Sequence, residues 1–221
     1  MTKKKKIILG ISIGVSAALV LAVLIPFVIL GIRTASLKKS YAYLKDDPVY
    51  SEKQEVTGIE LVKQEISCGY ATIEMMSTYY GNKISEKELS DKNRGSITTS
   101  SSDGFLKELR KSIPAEKFVK HNYLSDDVLL KEICIALSDN RPVALEWAAK
   151  YENEWTLHFS LISAIDIKND NITIYNPYGY IENITISEFI GRSSFEAYKN
   201  IPLFLNFGFA FGAFEKNTIF Y

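Results

Sequence analysis

Gln64-Glu-Ile-Ser-Cys68-Gly69-Tyr-Ala-Thr-Ile-Glu-Met-Met-Ser-Thr-Tyr-Tyr-Gly81 is the stretch on which the fold turns. Ile73, Met76 and Tyr80 recur at three- and four-residue steps, which predicts a helix over Thr72 to Tyr80 with one face in a core. Gly81 closes it. Cys68 then stands at the first turn of that helix. The first N–H groups of a helix have no partner within it and carry a partial positive charge, so the position is expected to favour a thiolate.

Two later segments supply what a thiol nucleophile needs. His158 lies in Trp-Thr-Leu-His158-Phe-Ser-Leu-Ile, and Asn176 in Ile-Thr-Ile-Tyr-Asn176-Pro-Tyr-Gly. A thiol, an imidazole and an amide in this order are the parts of a Cys–His–Asn site. The imidazole would take the thiol proton, and the amide oxygen would hold the other ring N–H. Asn169-Asp170-Asn171 reads as the turn of a hairpin between strands at Thr156 to Ile167 and Asn171 to Tyr175. That turn pairs residue 158 with residues near 180, and a bulge would bring Asn176 alongside. Glu65 and Asp166 are weaker candidates for the third role. His158 alone could be a structural histidine, Asn176-Pro177 alone a turn initiator, and His121 looks exposed and uninvolved.

Gln64, the Ser-Cys68-Gly69 helix start, His158-Phe and Asn176-Pro-Tyr-Gly resemble the papain-like bacteriocin-processing peptidases. These cleave leader peptides after a double glycine and have stand-alone relatives. The likeness runs over roughly residues 58 to 190. It implies Cys68 as nucleophile, His158 as base, Asn176 as the orienting residue where many members use Asp, and Gln64 as oxyanion-hole donor. It also implies a peptide or protein substrate with small residues at the cleavage site. Two positions depart from the pattern. The glutamine stands four residues before the cysteine instead of six, with Val at position 62, and Tyr70 replaces a common proline. The chain carries no transporter portion, so a stand-alone relative is expected.

Ile7 to Ile32 is an almost unbroken apolar run without charge. About 20 such residues cross a bilayer as a helix. Lys3 to Lys6 precede the run, and Arg33, Lys38 and Lys39 follow it. The denser block at the start places residues 1–6 in the cytoplasm and the rest outside, at the cell membrane. A cleaved signal peptide is the rival, but its apolar core is usually about 7–15 residues. Residues 33–57 read as a juxtamembrane linker and 58–221 as one domain, large enough for a single core.

Within 221 residues, 26 basic and 26 acidic side chains balance. No basic patch with interleaved aromatics appears, so nucleic acid is not an expected partner. Two histidines and two cysteines show no ligand pairs of the zinc type, so neither metal nor cofactor is expected. Cys68 and Cys134 could pair as a disulfide outside the cell, but Cys134 falls on an apolar helical stripe with Val128, Leu130, Ile133 and Leu137. Ser85-Glu-Lys-Glu88 is a capping-box pattern, and Asp103 to Lys111 is a further helix ended near Pro114. Pro142 to Trp147 reads as a strand. The aromatic stretch Ile201 to Phe214, broken by Asn206 and glycines, reads as paired strands. Helices first and strands second give an α+β domain with a mainly antiparallel sheet, the papain-like order, behind one transmembrane helix.

Two functions are consistent with this. One is a membrane-anchored cysteine peptidase or related thiol amidohydrolase working through a Cys68 acyl-enzyme. The other is a non-catalytic papain-like module that binds a peptide or protein in the cleft, which the displaced Gln64 would favour. Oligomeric state is open.

Overall fold

The computed structural model describes residues 3–221, with side chains described from Ala18 onward. In chain order, α1 is Lys3–Ala35, a 3-10 turn covers Ala42–Lys45, and β1 is Gln54–Glu55. Four helical and two strand segments follow: α2 Cys68–Tyr79, α3 Glu86–Lys92, α4 Ser102–Ser112, β2 Lys120–His121, α5 Asp126–Ser138 and β3 Val143–Tyr151. The rest is β4 Glu154–Asp166, β5 Asn171–Asn176, β6 Tyr180–Ile184, α6 Ile186–Ser193, α7 Leu203–Ala210 and β7 Thr218–Phe220. Helices therefore precede an antiparallel sheet, as the sequence pattern requires.

The sheet runs β2-β7-β3-β4-β5-β6, with β1 pairing the far end of β4. Every pairing is antiparallel. The C-terminal β7 inserts between β2 and β3, setting Leu145 opposite Ile219. No hairpin signal announces this, because the two partners are far apart in sequence. The β3–β4 hairpin sets Trp147 opposite His158. The β4–β5 register slips by one residue between Ile162 and Ala164. That bulge is the device expected for bringing the hairpin's two polar residues together.

α2 packs against β4, Phe105 of α4 stacks on Phe159 of the same strand, and α5 packs against β1, β3 and β4. Tyr70, Ile73, Met75 and Met76 of α2 enter the core with Leu130, Ile133 and Cys134 of α5. The α5 stripe takes in Leu129 and leaves Val128 partly exposed. Ser85 caps α3 through a complete capping box with Glu88.

Two segments differ from their expectation. Residues 33–57 do not hang as a linker: α1 continues to Ala35, Leu37, Leu44 and Val56 are buried, and β1 joins the sheet. Apolar residues spaced too widely to show a period can still dock singly. The stretch Ile201 to Phe214 is not a pair of strands. Leu205 and Phe209, one helical turn apart, are both buried in a small cluster with Ala148 and Phe195, and their spacing makes α7 a helix.

Candidate active site

Cys68 owes its position to its neighbours on both sides. Ser67 is extended and its hydroxyl accepts the N–H of Tyr70 at 3.1 Å, so α2 starts at Cys68. The loop before it is held by Glu86, whose carboxylate accepts the N–H groups of Glu65 (2.7 Å) and Ser67 (3.0 Å). Gly69 lies against the Thr99 side chain so closely that any Cβ would collide with it. Residue 69 must therefore lack a side chain for the loop before α4 to close on the helix start. Tyr70 fixes the same loop, donating its hydroxyl to the carbonyl of Ser96 at 2.6 Å.

His158 and Asn176 form a bonded pair. His158 Nε2 is 2.9 Å from Asn176 Oδ1. The amide has only one possible orientation, because Asn176 Nδ2 donates to Glu182 at 2.6 Å while Oδ1 also accepts the Tyr178 N–H at 2.9 Å. The oxygen faces the ring, so Nε2 carries the proton and Nδ1 is left as the base. Glu182 is in turn paired with Arg192 at 2.6 Å. Arg192 is buried, donates to the Ala148 carbonyl at 2.9 Å and lies 3.6 Å over the Trp147 ring. The ring of Tyr178 stacks on His158 at 4.1 Å. A line of groups from His158 to Trp147 thus fixes the imidazole.

The thiol and the imidazole are both neutral at rest. Burial pushes Cys68 up to about 11, although the N–H groups of Phe159, Gly69 and Cys68 itself pull the other way and the Glu146 carboxylate adds to the rise. Burial takes His158 down to about 3, helped by the charge of Arg192 and only partly opposed by Asn176. Burial thus opposes the thiolate that the helix start is expected to favour. Desolvation outweighs the helix dipole here. The Phe159 N–H also locates the sulfur: it lies against β4, next to the residue that carries the imidazole.

The remaining sequence candidates sort plainly. Gln64 is tied through its N–H to the Pro177 carbonyl at 2.7 Å. It lines a cavity of about 290 Å³ with Lys63, Tyr151, Pro177 and Tyr178, not the cleft that holds Cys68, and its Oε1 is buried without a partner. Asp166 accepts from Asn169 within its own turn, and Glu65 is exposed. His121 stacks on Tyr221 in β2. Cys68 and Cys134 are free thiols, and burial pushes Cys134 up to about 12.

Sequence reasoning missed Glu86, Glu182, Arg192 and Glu146. Glu146 is fully buried and takes a 2.5 Å hydrogen bond from Ser102. Glu86 lies within the Ser85–Glu88 capping pattern but outside its two capping positions, the other three sit in no motif, and each acts across distant elements. Only Tyr178 could have been found, inside Asn176-Pro-Tyr-Gly.

Cys68 opens on a cleft of about 540 Å³. Its walls are mostly apolar: Ile97 and Thr99 on one side, Trp155 and Leu157 of β4 on another, and Phe204 and Leu205 of α7 on a third. The model of the Peptidase_C39 like family matches residues 49–202. This chain belongs to that family. Its match spans β1 through the start of the segment leading into α7, and so contains Cys68, His158 and Asn176. A comparison with curated proteins yields no match. Among solved structures the chain is similar to one described as a C39-like peptidase from Bacillus anthracis, at 14% identity and TM-score 0.46, covering 61% of this chain and 88% of that one. A double-glycine motif protease from an AMS/PCAT transporter, in complex with its leader peptide, is 18% identical at TM-score 0.44, covering 63% and 91%. The peptidase domain of Streptococcus ComA, a bifunctional ABC transporter, is 14% identical at TM-score 0.47, covering 74% and 97%.

Proposed function

We propose that this C39-like chain is a cysteine peptidase, held in the cell membrane by α1 and acting on a peptide or protein outside the cytoplasm. The observation that carries the reading is the 2.9 Å pair of His158 and Asn176, which leaves Nδ1 free to act as the base, while Cys68 lines an open cleft and takes the N–H of Phe159, the residue after His158. Cys68 Sγ attacks the scissile carbonyl carbon as its proton passes to His158 Nδ1. The oxyanion is held by the Cys68 N–H at the start of α2 and by the Gln64 amide once substrate draws it in. The imidazolium returns its proton to the leaving amine, and the thioester left on Cys68 is hydrolysed by water. Because thiol and imidazole are neutral at rest, the charge is created only as the carbonyl is attacked, where the oxyanion donors can offset it.

The anchor rests on the window Ala18–Ala35, with mean hydropathy 2.3 and no buried residue. Lys3 to Lys6 before it set the N-terminus inside. Protease added to intact cells expressing the chain should remove the domain, and peptide cleavage should vanish in Cys68→Ala but survive in Cys134→Ala. Loss of the domain only in permeabilised cells would reverse the orientation, and cleavage by Cys68→Ala would end the catalytic reading.

One observation favours the second reading, a peptide-binding module without turnover. Gln64 stands outside the cleft lining, and its shift in sequence matches that placement. Such a module would bind peptide in the cleft and leave it intact.

A further inference from the structure

α7 is apolar on all sides. Leu205 and Phe209 face the domain and are buried. The opposite side carries Leu203, Phe204, Phe207 and Phe211, exposed at 71, 68, 40 and 57%. The only polar side chain on the helix, Asn206, turns its amide to the Ile201 carbonyl at 3.2 Å. A short helix that is apolar all round belongs inside a core or in contact with lipid. The domain covers only one side of this one.

What covers the other side follows from its neighbour. Phe207 and Phe211 meet the ring of Phe27 of α1 edge-on, at 5.2 and 6.5 Å between centroids. Leu30 of α1 packs against the same small cluster that holds Leu205 and Phe209. Phe27 lies inside the apolar run Ile7 to Ile32. At ~1.5 Å per residue that run is about 39 Å long, about 9 Å more than the ~30 Å hydrocarbon core. Even if the whole excess lies at the outer end, Phe27 stands at the hydrocarbon boundary. Arg33, the first charge after the run, is drawn over the Tyr123 ring at 5.1 Å, so the domain sits directly on the end of α1. A face that touches Phe27 is at membrane depth.

We infer that the outer face of α7, Leu203, Phe204, Phe207 and Phe211, is embedded in the outer leaflet of the bilayer that α1 crosses. The inference rests on the anchor reading above. It adds that the domain is not tethered above the membrane but seated in it by a second apolar element. Phe204 belongs to this face and to the wall of the Cys68 cleft. The cleft therefore opens at the lipid surface, and its substrate is a polypeptide segment met there.

Nitroxide labelling of the full chain in phosphatidylcholine vesicles tests this. In a Cys68→Ala, Cys134→Ala background, single cysteines replace Leu24, Phe207, Phe211 and, on the far end of α5, Ile135. Collision with oxygen, which enters lipid, is compared with collision with a water-soluble nickel chelate. The ratio at positions 207 and 211 should exceed that at 135 by about threefold or more, approaching that at 24, as for a helix lying in the interface. A high ratio at 24 with aqueous ratios at both 207 and 211 leaves the anchor standing and overturns the seated face. Aqueous ratios at 24 as well overturn both. Spin–spin broadening between labels at 211 would show a second copy on this face in place of lipid and would also overturn the proposal.

Discussion

Asn176 gives its oxygen to His158 at 2.9 Å and its nitrogen to Glu182 at 2.6 Å, so one amide joins the base to a carboxylate. Only a group with one acceptor and one donor fits between them. Asn176→Asp, a small change elsewhere, would set two carboxylates face to face here, with Arg192 shared between them. We expect it to cost about 1–3 kcal/mol at neutral pH, the price of an unmet charged contact, and to recover as acid protonates the pair. Urea unfolding at pH 7 and pH 5 reads this directly, and equal stability of the two proteins at pH 7 would refute it. Asn176→Ala should lower turnover by about tenfold to a hundredfold while leaving Cys68 alkylation intact, since it frees the ring without touching the sulfur.

The thiol itself gives a pH profile. With Cys68 raised to about 11 and His158 lowered to about 3, no ion pair forms near neutrality. Iodoacetamide should alkylate Cys68 slowly at pH 7 and ever faster towards pH 11. His158→Ala should leave that alkaline rise in place. A plateau already reached at pH 7 and abolished by His158→Ala would show a resting thiolate–imidazolium pair.

Glu146 links stability to pH. Burial lifts its carboxyl from 4.5 to about 8, against the opposing hydrogen bond from Ser102, with Glu215 adding to the rise and Lys120 opposing it. Between those values the folded chain holds a proton that the unfolded chain has released. Stability from this group is therefore full below about pH 4.5 and falls as pH rises to about 8. Glu146→Gln, which keeps the shape of the protonated acid, should gain on the parent through that window. Parallel denaturation curves at pH 5 and pH 8 should diverge, and a constant difference would mean that Glu146 ionises at its ordinary value.

Glu86 is expected to act on the loop before the nucleophile. Its carboxylate accepts the N–H groups of Glu65, Ile66 and Ser67 at 2.7, 3.4 and 3.0 Å. Glu86→Ala leaves these donors unmet, at about 1–3 kcal/mol. Hydrogen exchange at residues 65–67 should quicken well before that of α2. Unchanged protection there would show that water or Glu74 can replace it.

Much of this site was legible because its parts are local. Ser67 before Cys68, the Ser85–Glu88 box and the β4–β5 turn each act over a few residues, and each is present. His158 and Asn176 meet because one bulge near Ser163 supplies the shift that their spacing demanded. What stayed hidden depends on distant partners. β7 pairs with β3 across the intervening β4, β5, β6, α6 and α7, and Glu182 and Arg192 support Asn176 from β6 and α6. Leu37 and Leu44 dock singly from a stretch that reads as a linker. The α7 segment misled because aromatic residues with glycines suit strands and helices alike, and only burial of Leu205 with Phe209 decides. The thiol shows the same limit: a helix start is visible in sequence, while the burial that opposes it is not.

The most direct test of the account is cleavage of a mixed peptide library in water enriched in oxygen-18. The full chain in phosphatidylcholine vesicles should yield new C-terminal peptides carrying one heavy oxygen, and Cys68→Ala and His158→Ala should yield none. Intact peptides with wild type, or heavy products that persist in Cys68→Ala, would contradict a hydrolase working through Cys68.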